Sequence, residues 1–131
     1  MTNAHHKLVQ DFVAGLSAGA LSDDLFTPDM KAWTTISGES DKAAYEDSLK
    51  LMWSLFPNGL HYAIRSITAE DDRAAAEVEA RGVLSNDDAF TNIYVFLFQF
   101  QNGRISSLAE HYNPGPIREK VEPLIENARE S

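Results

Sequence analysis

The sequence predicts an α+β fold, and three observations carry that prediction. Helical periodicity is concentrated in the first half of the chain. Four strand-like segments follow one another in the second half, joined by short polar turns. Helices first and an antiparallel meander afterwards mark α+β rather than alternating α/β architecture.

A length of 131 residues fits one domain, expected to span 1–131, and is enough to bury a core without staples. Eleven Lys and Arg against twenty Asp and Glu give a formal charge of −9. The basic residues are scattered singly, so no electrostatic footprint for nucleic acid or for an anionic membrane is present. Without cysteine the chain has no disulfide, thiolate metal site or thiol nucleophile. The segment Met1–Gln10 is polar and no apolar run is long enough for a membrane helix, so cytoplasmic residence is the default expectation. His5 and His6, beside the terminus, are expected in solvent.

Val9, Phe12, Val13 and Leu16 follow the i, i+3, i+4, i+7 spacing of one helical face. Ser22 is a candidate N-cap for a short turn holding Leu25 and Phe26, and Thr27-Pro28-Asp29 closes that turn. Lys31 to Ile36 has strand character and ends at Ser37-Gly38. Ser40 or Asp41 then caps a longer helix with Tyr45, Leu49, Met52, Trp53 and Phe56 on one face, stopped by Pro57-Asn58-Gly59. The four strand candidates are Leu60 to Thr68, Ala74 to Leu84, Ala89 to Gln101 and Arg104 to Tyr112. Asn102-Gly103 between the last two is a strong hairpin signal, because both residues tolerate positive φ. From Pro116 to Ser131, Ile117, Val121, Leu124 and Ala128 make a helical stripe in which Pro123 marks a kink or the start of a second piece.

The strand Asn92 to Phe100 has no polar face. Asn92, Tyr94, Phe96, Phe98 and Phe100 share one side, and Ile93, Val95, Leu97 and Gln99 share the other. With one interior available, one side lines it and the other meets a second subunit, which predicts a homodimer through the outer sheet face. The alternative is a strand covered on both sides by its own helices.

Two stretches resemble a known family. Val9-Gln10-Asp11-Phe12-Val13-Ala14-Gly15-Leu16-Ser17-Ala18-Gly19 is one. The other runs from Asn92-Ile93-Tyr94-Val95-Phe96 through Asn102-Gly103-Arg104-Ile105 to Glu110-His111-Tyr112-Asn113-Pro114. The second is similar to the SnoaL-like pattern of an aromatic strand, a Gly-Lys/Arg-Ile hairpin and an acidic, aromatic, Asn/Asp-Pro ending. The chain thus resembles the SnoaL-like and ketosteroid-isomerase-like families of the nuclear transport factor 2-like superfamily, and the resemblance covers nearly the whole chain. It implies a cone-shaped α+β barrel with N-terminal helices packed on a curved, mostly antiparallel sheet. Laid on this sequence, the isomerase pattern puts its helix-one tyrosine at Phe12, its base near Thr34 and its protonated acid at about Phe96. All three groups are absent, so ketosteroid isomerase chemistry is not expected.

The same mapping turns Asn92, Tyr94 and Phe96, and in the next strand Leu108, Glu110 and Tyr112, toward the pocket. SnoaL-like relatives tend to carry an acid/base carboxylate around this last strand, which makes Glu110 the candidate catalytic residue. A carboxyl between Leu108 and Tyr112 would be desolvated and its pKa raised toward neutrality. The alternatives are a carboxylate paired with a structural Arg, or an edge residue in solvent. Asn113, where many relatives have Asp, cannot transfer a proton. Glu79 shares a strand face with Glu77 and Arg81, which describes a solvated face or internal ion pair, or a polar fixture of the pocket if that face is concave. His61, whose face the pattern leaves open, is a candidate pocket residue and proton shuttle, more so than His111, which points away from its neighbour Glu110. Phe12, Trp33, Trp53, Tyr45, Tyr62 and Tyr94 form an aromatic inventory that serves either as core or as pocket wall. Trp33 and Tyr94 are the favoured wall residues, with Asn92 as a hydrogen-bonding partner.

No metal-ligand spacing, phosphate loop, nucleophile motif or dinucleotide fingerprint is present, so no cofactor and no metal are expected. The expected function is cofactor-free acid/base chemistry (isomerase, cyclase or hydratase/dehydratase type) on a small apolar or aromatic molecule. The alternatives are a non-catalytic ligand-binding or interaction module of the same fold, and a dimeric scaffold filled by its own aromatics.

Overall fold

The computed structural model describes residues 2–130, with side chains described for 4–127. Helix α1 (Thr2–Ala18) is followed by a single 3-10 turn (Asp23–Leu25), strands β1 (Phe26–Thr34) and β2 (Gly38–Asp41), and helix α2 (Lys42–Trp53). The meander β3 (Leu60–Glu70), β4 (Arg73–Val83), β5 (Ala89–Gln101) and β6 (Arg104–Tyr112) comes next. A helical turn α3 (Pro114–Pro116), a π-turn (Ile117–Val121) and helix α4 (Glu122–Glu130) complete the described chain.

The six strands form one sheet in the order β2-β1-β6-β5-β4-β3. Every pairing is antiparallel except β1 with β6, which is parallel and sets Thr34 beside Glu110. The α+β class and the mostly antiparallel sheet are therefore as the sequence predicts. Asn102 (φ 54) and Gly103 (φ 75) turn the β5–β6 hairpin with positive φ at both positions, as a tight primed turn requires.

Two elements differ from expectation. β1 begins at Phe26 and runs through Pro28, where a turn is predicted; a register shift between Phe26 and Lys31 frees Pro28 from the ladder. β2 is a short polar edge strand that no hydrophobic alternation announces. Asp41, rather than Ser40, caps α2 by accepting from Ala44 N at 2.8 Å, and the helix ends at Trp53, with Phe56 buried beyond it. The C-terminal stripe is broken by the π-turn before Pro123 enters α4 at its second position; the side chain of Ala128 and residue 131 lie outside the described residues.

Helix α1 lies across β3 and β4 and buries Val9, Phe12, Val13 and Leu16. Ser17 fastens the end of α1 to β3, its Oγ accepting from Tyr62 N at 2.8 Å and donating to Tyr62 O at 3.2 Å. Beneath α1, Phe12 meets the rings of Phe26, Phe96 and Phe98 edge-on, with centroids 5.4 to 6.2 Å apart. On β5 the sides separate cleanly. Asn92, Tyr94, Phe96, Phe98 and Phe100 are buried, while Val95 and Leu97 are exposed. His5 is partly buried rather than solvated, stacked on Phe100 at 4.3 Å.

Candidate active site

Beyond the phenylalanine cluster, the sheet, α2 and the C-terminal helical segment enclose a cavity of about 520 Å³. Its inner wall carries four tyrosines, one from each of four elements: Tyr45 on α2, Tyr62 on β3, Tyr94 on β5 and Tyr112 on β6. The Tyr94 ring centroid lies 6.1 Å from that of Tyr62 and 5.2 Å from that of Tyr112. Leu49, Met52, Ile117, Val121 and Ile125 supply apolar lining, and exposed Ser37, Ser48, Leu51 and Glu126 mark the mouth.

Glu110 sits in the middle of this wall. Period-two alternation along β6 turns it to the same side as Leu108 and Tyr112, and across the ladder it faces Phe96 on β5. Its backbone is fixed from the residue after β1: Thr35 N donates to Glu110 O at 3.1 Å, and Thr35 Oγ1 accepts from Tyr112 N at 3.0 Å. The side chain receives one hydrogen bond, from Tyr45 Oη to Oε1 at 2.9 Å. Burial pushes the Glu110 carboxyl up to about 7, an effect partly offset by the Tyr45 hydrogen bond. Burial likewise raises Tyr45, Tyr62 and Tyr94 well above the ordinary phenol range, and the neighbouring Glu110 charge adds to the rise. The phenols therefore stay protonated while the carboxyl titrates near neutrality.

Tyr45 gives its one O–H to Oε1, and no other hydrogen bond reaches the carboxyl from the described residues. Oε2 is left to meet a guest. A carboxyl in this state can accept a proton from a bound molecule or return one to it.

The structure distributes the sequence-predicted residues unevenly. Tyr94, Glu110 and Tyr112 line the cavity. Phe12, Phe96 and Leu108 point to the same interior but belong to the solid core. Trp53 is partly buried and packs against that core, outside the lining but beside the Tyr62 hydroxyl. Trp33 is not a wall residue: β1 alternation sends it to the outer face, 38% exposed and 4.7 Å from the His111 ring. His61 is exposed on β3, its backbone neighbours Leu60 and Tyr62 taking the inner side. Glu79 is on the outer face too, held by Arg81 at 3.2 Å and Arg65 at 3.6 Å. Asn92 is buried but engaged with backbone: Nδ2 donates to Asn113 O at 3.0 Å and Oδ1 accepts from Ile93 N at 3.1 Å. Asn113 in turn caps the turn α3 through Gly115 N at 2.9 Å.

Tyr45 and Tyr62, which the sequence leaves open as core or wall, complete the site as wall residues. Their signal lay in residue type. A tyrosine where a helix or strand face calls for a core aromatic must place its hydroxyl against something polar or open.

A second concavity, about 590 Å³, lies over the outer face between Trp33, Thr68 and Leu97. It holds no buried titratable group. Among the described residues no group of three or more His, Asp or Glu side chains converges as a metal site would require, and no helix is long and apolar enough to cross a membrane.

Residues 9–108 match the family model of the SnoaL-like domain. The chain belongs to that family. Solved structures agree on the fold. AclR, a putative hydroxylase from Streptomyces galilaeus, superposes with a TM-score of 0.80 at 19% identity, over 89% of this chain and 94% of its own. A putative SnoaL-like polyketide cyclase from Jannaschia sp. CCS1 gives 0.75 at 12% identity, over 89% and 90%. An NTF2-like protein from Anabaena variabilis gives 0.74 at 18% identity, over 85% and 87%. Among curated proteins no sequence relative is found.

Proposed function

We propose that this SnoaL-like protein is a cofactor-free acid/base enzyme that moves a proton on a small, largely apolar or aromatic molecule, with Glu110 as the proton-transferring group. The observation that carries the reading is a carboxyl facing a tyrosine-walled cavity with one hydrogen bond and a pKa pushed up to about 7. Near neutral pH such a group is populated in both protonation states, which suits isomerisation, cyclisation or hydration/dehydration. The description of one structural neighbour as a putative polyketide cyclase is compatible with that class. Tyr45 positions the carboxyl, while Tyr62, Tyr94 and Tyr112 shape the space beside it.

The test is a carboxyl titration by infrared or ¹³C spectroscopy, with Glu110→Gln identifying the signal. A midpoint near 7 is expected; a midpoint in the ordinary carboxylate range overturns the assignment. With a substrate in hand, Glu110→Gln should slow turnover by roughly a hundred- to ten-thousand-fold, the usual worth of one general acid/base. A non-catalytic binding module remains the second reading, favoured by Asn113, whose side chain is committed to a cap. Tight ligand binding by a carboxyl of ordinary pKa would support it.

The outer sheet face belongs to the same proposal as a self-association surface, because it leaves Val83, Val95, Leu97 and Trp33 between 38% and 49% exposed.

A further inference from the structure

The partly buried carboxylates of the described residues fall into two groups. Glu46 and Glu79 lie away from the cavity and each has a cation: Lys42 at 3.2 Å from Glu46, Arg81 and Arg65 at 3.2 and 3.6 Å from Glu79. Glu110 and Glu122 line the cavity, and neither has an ion-pair partner among the described residues. Nor is any described lining residue a Lys, Arg or His, while Glu126 adds a further carboxylate at the mouth. The groups facing Glu110 are the phenols of Tyr45, Tyr62, Tyr94 and Tyr112, none of which supplies positive charge.

A desolvated carboxylate without a counter-ion is costly, and proteins meet the cost by pairing it or neutralising it. Here the walls offer no pair. They offer aromatic rings instead, and such rings attract cations through their quadrupoles. Anionic guests would meet three carboxylates and no base.

We propose that the cavity takes an organic cation, an apolar body bearing a protonated or quaternary amine, with Glu110 as its counter-ion and the tyrosine rings around it. This rests on the reading of the cavity as a small-molecule site and adds the charge of its occupant. The surplus of acidic residues over the whole chain would draw such a ligand in. Binding requires ionised Glu110, so affinity rises with pH through the titration and each binding event below it releases a proton.

Three probes of one shape separate the possibilities: benzyltrimethylammonium, neutral neopentylbenzene and phenylmethanesulfonate. Each is titrated into the protein at pH 6 and pH 8, followed by NMR shifts of cavity residues. The cation should bind more tightly than its neutral counterpart at pH 8. Its affinity should rise by about tenfold between the two pH values, as expected for a carboxyl titrating at about 7. The sulfonate should not bind. Glu110→Gln should remove both the pH dependence and the preference for the cation; the wild-type pH dependence and charge series decide the matter even if that variant folds poorly. Equal or tighter binding of neopentylbenzene at pH 8 overturns the cation assignment and leaves the proposed acid/base site standing. Failure of all three probes to bind overturns both.

Discussion

The aromatic run from Tyr94 to Phe100 on the inner face of β5 has two ends built from nearly the same side chains with opposite results. Toward Phe100, the rings of Phe96, Phe98 and Phe100 stack along the strand, and from α1 Phe12 closes over Phe96 and Phe98 while His5 covers Phe100. Toward Tyr94 the neighbouring rings are Tyr62 and Tyr112, each with a hydroxyl, and the sheet and helices stand apart around Glu110. One oxygen per ring separates a solid core from a cavity, because a hydroxyl must reach a polar partner or open space while a phenyl edge packs against anything apolar.

The contrast can be broken or sharpened by substitution. Phe96→Ala should cost about 3–5 kcal/mol in denaturant unfolding, the usual result of emptying a filled aromatic site. Tyr94→Phe, one residue pair away on the same face, should cost less than about 1.5 kcal/mol, since shape is kept and only the hydroxyl is lost. Comparable losses at the two positions would mean that the tyrosine end is packed as solidly as the other.

A smaller effect separates the ends by pH. The Glu110 carboxyl titrates at about 7 in the folded protein against 4.5 when unperturbed. Between those values the folded state holds the extra proton, so this group's contribution to stability declines as pH rises through that window and is constant above it. Glu110→Gln removes the decline. It should match wild type near pH 4 and exceed it at pH 8 by up to roughly 3 kcal/mol, read from paired melting curves. A constant difference across that range would contradict the burial of the charge. Smaller again, Tyr45→Phe should move the Glu110 midpoint above 7, because the lost hydrogen bond favours the ionised form.

On the outer face Leu97→Lys should change monomer stability by no more than about 0.5 kcal/mol. Its expected effect is on assembly: wild type sediments as a dimer at micromolar concentration and the variant as a monomer. A monomeric wild type removes the self-association proposal.

Much of this was legible in the sequence where periodicity and turn chemistry agree. The bounds of β5 and β6 follow from alternation ended by Asn102-Gly103, and alternation also brings Tyr94, Glu110 and Tyr112 to one side. β1 was obscured because Pro28 reads as a turn residue, and only the irregular pairing with β6 makes room for it. Polar Gly38–Asp41 looks like a loop; its strand exists because β1 offers an edge to pair with. Trp33 misled through composition, since a large aromatic implies burial while the pleat decides which side it takes. Tyr45 looked like ordinary helix core. Its partner Glu110 is contributed by the opposite end of the chain, and no local pattern reports a contact of that range.

The single parallel pairing has a consequence for how the chain is made. β1 is synthesised early, but its partner β6 leaves the ribosome only after all the other strands. Until then Thr34 has no Glu110 beside it and the hollow lacks one wall, whereas β3, β4 and β5 can pair as they emerge. Contacts of such separation form slowly because the intervening loop must first be ordered. The end of the molecule that holds the cavity therefore waits for β6, because Glu110 and Tyr112 arrive only with that strand.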